Sequence, residues 1–270
     1  LGTELITSDE IAITELIKNS YDAKADKVRI QFLDDLDQIK ENELLAPIPV
    51  EVRTQISECD GYGLILLEDN GQGMNYGTLE TGFFEVGSTG KIEEKLEQKE
   101  SGDDNDSLIL GDKGIGRLSA QRLAPILFVE TTTESDNETF LVKIDWEEFI
   151  NSEDTQAPEW KIPKSDNHSY TRLWLLGNVS QALSFKKYIQ HRVLSQTDVF
   201  GNNREELDKA YFINDELQTA LSFLYSPFSE NKSLIDLKIF HNSQLVRTDF
   251  SYDTLRIAES IHSFETSVIL

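Results

Sequence analysis

The sequence predicts a mixed α/β domain to about Gly177, a helical connector to about Ser226, and the beginning of a second α/β domain. Three observations predict it. An amphipathic helical stretch follows a capping residue near Ser8. Short alternating or continuous apolar runs, bounded by turn residues, recur as far as Leu176. Two glycine-rich turns lie between them, one after an apolar run and one opening a helix.

Each element has a local reason. Ser8-Asp9-Glu10 reads as a helix start with Ser8 or Asp9 as cap, and the helix continues through Ile11, Ala12, Ile13, Leu16 and Ile17 to about Tyr21. Lys27 to Leu33 alternates polar and apolar like a strand. Residues 34–60 are polar and carry Pro47 and Pro49; they read as an irregular insertion with a short helix near Glu41 to Leu45. Tyr62 to Leu67 is a buried-type strand that runs into Asp69-Asn70-Gly71-Gln72-Gly73-Met74. Residues 93–107 hold seven acidic against two basic residues and one large apolar residue, Leu96, which predicts a mobile loop. Gly111 to Gly116 is the second glycine-rich turn, opening a helix from about Arg117 to Leu123.

Ile126 to Thr133 and Thr139 to Asp145 read as two strands paired around Asp136-Asn137, and Tyr170 to Leu176 as another. Residues 182–194 and 205–225 carry helical periodicity. Pro227 breaks the chain, and Ile235 to Phe240 and Arg256 to Leu270 are strand-like again. The chain begins at Leu1 and stops inside the last of these runs, so it reads as a fragment whose second domain, 227–270, is truncated.

Composition narrows the function. Hydrophobic residues make up 39% and charged residues 27%, an ordinary globular balance. Lys plus Arg number 25 against 49 Asp plus Glu, a formal net charge of −24. Such a chain repels phosphate backbones, so strong nucleic-acid binding by this stretch as a whole is not expected. No run approaches the roughly 20 apolar residues of a spanning helix, so no membrane association is expected. The single Cys59 excludes an internal disulfide framework and makes a reducing cytoplasm the expected location. His168, His191, His241 and His262 are scattered without metal-ligand spacing.

Three clusters carry chemistry. Glu15, Lys18, Asn19 and Asp22 fall at i, i+3, i+4 and i+7, one polar stripe on the first helix, while Ile13, Leu16 and Ile17 point elsewhere. A solvated helix face looks the same. At the end of the Tyr62 strand, Asp69 is placed to accept from the exocyclic amine of adenine, and Gly71 and Gly73 let a ring or phosphate approach the backbone. A plain Asp-Asn tight turn is the alternative. Gly111-Asp112-Lys113-Gly114-Ile115-Gly116 opens a helix, so its N–H groups make an anion cradle. It is neither a Walker sequence nor a good dinucleotide fingerprint.

In this order the three clusters resemble the motifs of the GHKL ATPases: gyrase, the heat-shock chaperone of that group, histidine kinases, MutL and MORC proteins. The first motif is Glu15-Leu16-Ile17-Lys18-Asn19-Ser20-Tyr21-Asp22-Ala23, followed by Asp69 to Met74 and Gly111 to Gly116. A weaker fourth element is Thr171, where Tyr170 stands in place of the family's usual glycine. The chain is most similar to the MutL- and MORC-like bacterial members over about residues 8–177. The resemblance implies an α+β fold, the Bergerat two-layer sandwich, with a mixed, mostly antiparallel sheet covered by helices. A helical connector (178–226) and a transducer-like second domain would follow, with the lid at 85–110.

The resemblance also implies roles. ATP and Mg²⁺ would be the ligands, with Asn19 as Mg²⁺ ligand and Glu15 as the residue that activates water. Asp22 would support the nucleotide. Asp69 would read adenine, framed by Gly71, Gly73 and Met74, with Thr171 behind it. Gly111, Lys113, Gly114, Ile115 and Gly116 would cradle phosphates, and Ser88, Thr89 and Lys91 would reach them as the lid closes. A nucleotide-driven homodimer acting on an unseen effector is the expected machine, in DNA repair or phage defence. The competing readings are a histidine kinase catalytic domain and a nucleotide-sensing module without hydrolysis. No lysine from a following domain can be identified to complete the site.

Overall fold

A computed structural model describes residues 6, 8–37, 39–40, 43–79, 115–151, 157–164, 167–178, 185–194, 208–224 and 234–248. The first helix, α1, spans Asp9–Asp22. Ser8 caps it, its hydroxyl accepting from the Ile11 N–H at 3.3 Å. Asp9 and Glu10 in the first turn suit the positive end of the helix. They are also tied down from outside. Asp9 accepts from Arg122 at 3.0 Å and Lys187 at 2.8 Å, and Glu10 accepts from the Tyr188 hydroxyl.

Next come β1 (Lys27–Leu33), α2 (Val50–Glu58), β2 (Tyr62–Asp69), α3 (Tyr76–Leu79) and α4 (Ile115–Leu123). They are followed by β3 (Ile126–Thr132), β4 (Glu138–Asp145), α5 (Trp146–Asn151), β5 (Glu159–Pro163) and β6 (Tyr170–Asn178). After a 3₁₀ turn at Phe185–Tyr188 come β7 (Ile189–Leu194), β8 (Asp208–Ile213), α6 (Asp215–Ala220), a 3₁₀ turn at Ser222–Leu224, β9 (Asp236–His241) and β10 (Gln244–Arg247).

The described strands form one sheet in the order β5-β4-β3-β6-β2-β1-β9-β10-β8-β7. Every neighbouring pair is antiparallel except β1/β9 and β10/β8, so the fold is α+β with a mixed, mostly antiparallel sheet. Val28, Ile30, Ile65, Leu67, Leu173, Leu175 and Val129 face α1 and α4 and close over Ile13, Ile17 and Leu123. Each such side chain contributes about 1.5–3 kcal/mol by leaving water.

The opposite face carries a second core of Leu64, Leu66, Phe128, Trp174 and Leu176, covered by Leu36, Leu44, Ile48 and Val52. The segment 34–60 is therefore a cover for the sheet rather than an irregular insertion. Within it, α2 starts after Pro49 and turns Val52 and, one turn on, Ile56 to the sheet. The two apolar residues four apart were too few to signal a helix beside so many polar ones. Beyond this cover the same face becomes charged. Arg29, Glu68, Arg172 and Glu130 lie in register on four adjacent strands. The buried Glu130 accepts from Arg172 at 2.7 Å, Trp174 at 2.9 Å and Tyr170 at 3.0 Å, which satisfies a carboxylate that burial alone would penalise.

The helical reading of the connector is corrected. Residues 189–194 and 208–213, read as helical, are the antiparallel pair β7/β8; only Asp215–Ala220 is α-helical between them and Leu224. Six-residue stretches that mix apolar and polar residues, such as Ile189–Leu194 and Asp208–Ile213, fit either period, and the partner strand decides. The boundary expected near Gly177 does not interrupt the sheet, because β9 pairs in parallel with β1. Strands β5 and β10 and helix α5 had no sequence reading of their own. The predicted loop 93–107, the lid 85–110 and the run Arg256 to Leu270 lie outside the described residues. No helix among the described residues is long and apolar enough to cross a membrane.

Candidate active site

Strand β2 runs two residues beyond the apolar stretch and ends on Asp69. Alternation along the strand turns Ile65, Leu67 and Asp69 toward α1. The carboxylate is 5% exposed. Its Oδ2 accepts from the Ser20 hydroxyl at 2.9 Å and its Oδ1 from the Gly71 N–H at 2.9 Å. Burial is the largest influence on this group. It outweighs both hydrogen bonds and, with Glu68 adding to it, pushes the carboxyl up to about 6. A donor from a ligand would stabilise the ionised form that the protein alone solvates poorly.

The turn after Asp69 is fixed on both sides. Asn70 accepts through Oδ1 from the Asp26 and Lys27 N–H groups at 3.1 and 2.9 Å, and Gln72 donates to the Ala23 carbonyl at 2.8 Å. Gly73 has φ +66°, and a Cβ there would lie 2.0 Å from the Thr132 carbonyl oxygen. A side chain is excluded by both conformation and space. At Gly71 a Cβ would meet the Ala23 carbonyl oxygen at 2.7 Å. Glycine at these two positions is thus required by the protein's own packing, whatever a ligand needs.

Thr171 stands opposite Asp69 in the β2/β6 register and is buried. It does not touch the Asp69 carboxylate directly. Its hydroxyl meets Thr131 Oγ1 at 3.1 Å. Thr131 donates to the Tyr170 carbonyl at 3.1 Å and accepts from the Met74 N–H at 2.9 Å. The hydroxyl pair therefore anchors the backbone of Met74. Ser20 and Thr131 hold this site together and were missed by the sequence reading. Ser20 sat inside the quoted first motif without a role, and Thr131 is revealed only by the β3/β6 register.

Glu15, Asn19 and Asp22 do lie on one stripe of α1. Glu15 is half-buried, Asn19 and Asp22 exposed. Lys18 binds Glu15 Oε1 at 2.6 Å. Asp22 is held above the usual carboxylate range, first by partial burial and then by Glu15, with Lys18 opposing. The stripe and Asp69 are joined through Ser20, which belongs to the same helix and holds Asp69.

Ile115 and Gly116 open α4, which packs beside α1. Gly111, Lys113, Gly114, Ser88, Thr89 and Lys91 lie outside the described residues. No group of three or more His, Cys, Asp or Glu side chains converges among the described residues as a metal cage. The oxygen donors on the stripe suit a hard cation brought in with substrate phosphates, which needs only one or two protein ligands.

A cleft of about 450 Å³ opens at this end of the sheet, lined by Lys27, Arg29, Glu68, His168, Tyr170 and Arg172 among others. By strand alternation those side chains lie on the face away from α1. Asp69 and Asn70 also border the cleft, while the Asp69 carboxylate oxygens accept from Ser20 and Gly71.

A search of curated proteins gives no match. Among solved structures, the N-terminal domain of a DNA repair protein is 18% identical, with a TM-score of 0.44, covering 89% of this chain and 50% of that one. The ATPase region of Saccharomyces cerevisiae topoisomerase II bound to ICRF-187 (dexrazoxane) is 12% identical, with a TM-score of 0.40, covering 88% of this chain and 48% of that one. The chain thus spans about half the length of these structural relatives. The model describing histidine kinase-, DNA gyrase B- and HSP90-like ATPases matches residues 6–173, well over half of the sequence, and the chain belongs to that family.

Proposed function

We propose that this chain binds ATP with Mg²⁺ and hydrolyses it, with water as the nucleophile. The observation that carries the reading is the buried Asp69 carboxylate, held by Ser20 of the same helix that presents Glu15 and Asn19. One helix thus links a base-reading acid to a polar stripe one turn away. In this reading Asp69 accepts from the exocyclic amine of adenine, and Gly71, Gly73 and Met74 border the ring. Thr171 and Thr131 keep Met74 in place. Asn19 holds Mg²⁺ through its side-chain oxygen, and Asp22 lies beside it. The ion, when bound, neutralises charge on the phosphates. Glu15 takes a proton from water as that oxygen bonds to the terminal phosphorus and the bond to ADP breaks.

The backbone from Gly111 and Lys113 through Gly114, Ile115 and Gly116 cradles the phosphates at the start of α4. Ser88, Thr89 and Lys91 belong to a lid that closes over them. Closure promotes a homodimer and drives an effector elsewhere in the longer protein, in DNA repair or phage defence. The cytoplasm is the compartment that suits the free, buried Cys59. ATP can drive the closed state only by binding it more tightly than the open one.

The test compares Glu15→Ala with Asn19→Ala in the full-length protein. Glu15→Ala is expected to lower turnover about 10²–10⁴-fold while leaving ATP affinity equal or slightly higher. Asn19→Ala is expected to weaken Mg·ATP binding itself. Equal loss of binding in both variants would make the stripe structural, and unchanged turnover in Glu15→Ala would remove it as the base.

A further inference from the structure

We propose that Lys18 is a positioning residue for the Glu15 carboxylate, itself held by the ring of Phe223, so that the turn at 222–224 sets the aim of the base. The inference rests on the reading of Glu15 given above.

The contact is tighter than an ordinary surface pair. Lys18 Nζ lies 2.6 Å from Glu15 Oε1, with the two side chains only 27% and 17% exposed. Exposed pairs three residues apart on a helix exchange freely with water and fix little. Here the ammonium has a second support. It stands 5.3 Å from the centroid of the Phe223 ring, within the range in which a cation is drawn to an aromatic face. Phe223 packs against the main core between the fully buried Leu221 and Leu224, so the ring itself is anchored. Helix α6, just before this turn, packs on α1, and the Thr14 hydroxyl reaches the Ala220 carbonyl at 3.5 Å.

The arrangement leaves work for Glu15. One carboxylate oxygen is engaged by Lys18, while Oε2 has no protein partner among the described residues. A carboxylate fixed through one oxygen presents the other in a defined direction, as a general base requires. Lys18 also offsets charge. Glu15 and Asp22 sit two turns apart on one face, and Asp22 feels Glu15 as a repulsion that Lys18 reduces. Without Lys18, two carboxylates would meet a polyanionic substrate unassisted.

The chemistry follows from position alone. The 222–224 turn lies between β8 and β9, the strand that pairs with β1. A shift of that turn carries Phe223 away from Lys18 and loosens the base without altering Asp69.

The experiment measures steady-state hydrolysis of Mg·ATP by the full-length protein. Lys18→Met is expected to lower kcat about 10- to 100-fold, the scale of a misplaced catalytic group, with KM changed by less than about threefold. Lys18→Arg restores most of the rate, and Phe223→Leu lowers kcat several-fold at the same KM. In a Glu15→Gln background Lys18→Met has no further effect, because both act through one group. An unchanged kcat in Lys18→Met overturns the proposal, as does an equal loss in the Glu15→Gln background, which would have Lys18 acting on the phosphates itself.

Normal turnover by Glu15→Gln, or none by the wild type, would be a failure of the ATPase reading instead. The contact is then judged by NMR of the ¹³C-methylated lysines. A Lys18 signal shifted by the Phe223 ring and returned to the bulk position by Phe223→Leu supports it. An unshifted signal refutes it.

Discussion

Replacing Asp69 by Asn exchanges one oxygen for an amino group in a site with little room to adapt. Oδ1 faces the Gly71 N–H, so the amide must turn its oxygen there to avoid opposing donors. Its amino group then faces Ser20, whose hydroxyl can accept and redirect its own proton to the Leu16 carbonyl, 3.3 Å away. The fold therefore tolerates the change. It also gains from it. Burial lifts the carboxyl from 3.8 to about 6, so ionisation at pH 7 costs the folded state on the order of 3 kcal/mol, which the neutral amide avoids. A weakened hydrogen bond to Ser20 returns about 1 kcal/mol of that.

Binding moves the other way. The exocyclic amine of adenine loses a charged acceptor and meets a donor, at a cost of about 1.5–3 kcal/mol, or roughly tenfold to hundredfold in affinity. Calorimetry with Mg·ATP and thermal unfolding of the same sample measure both effects. Affinity near the wild-type value would remove Asp69 from base recognition. Weaker binding accompanied by a lower melting temperature would make its role structural.

Further outcomes follow from Asp69 and from the glycine turns. The folded state holds a proton on Asp69 more readily than the unfolded chain between pH 3.8 and about 6, so its contribution to stability is present at the acid end and lost as pH rises through 6. On the proposed reading, in which the Asp69 carboxylate receives the adenine amine, ATP affinity should rise through the same window and fall about tenfold per unit well below 6; a flat profile from pH 5 to 7.5, in calorimetry, contradicts this. Gly73→Ala should destabilise the fold by about 2–4 kcal/mol in denaturant titration, because φ is +66° and the Cβ meets Thr132 at 2.0 Å. Gly61→Ala, with φ +70° but nothing within 4 Å, should cost only about 1 kcal/mol. Equal effects would mean that the Gly73 turn relaxes easily.

The sequence was most legible where local chemistry and tertiary context agree. Ser8 announces α1, and the observed helix ends one residue past Tyr21. The Lys27 strand alternates because one of its faces is buried against α1, and its bounds match. Asp69 was singled out because a carboxylate at the end of an apolar strand, followed by two glycines, is placed to accept from the exocyclic amine of adenine. What held Asp69 was not legible. Ser20 lies 49 residues earlier, and Thr131 reaches Met74 across 57. Such contacts depend on strand register, which a single sequence does not display.

The β7/β8 pair failed for a related reason. Its residues gain a strand identity only from each other and from β10, which lies some 30 residues further on. The β9/β10 turn was detectable in principle. Asn242 and Ser243 both adopt positive φ, 45° and 64°, and Asn is the residue that most readily begins such a hairpin.

Strand β9 governs where this chain can be divided. It covers the outer row of β1 from Lys27 to Phe32. Ending the protein at Gly177, the seam the sequence suggested, would strip that row and leave an open ribbon of unpaired N–H and C=O groups set with Val28, Ile30 and Phe32. Bare edges of this kind recruit other chains, and sedimentation of a 1–177 piece should show concentration-dependent clumping that the longer chain lacks. The outer edge of β1 is thus closed by a segment more than 200 residues downstream of where β1 begins.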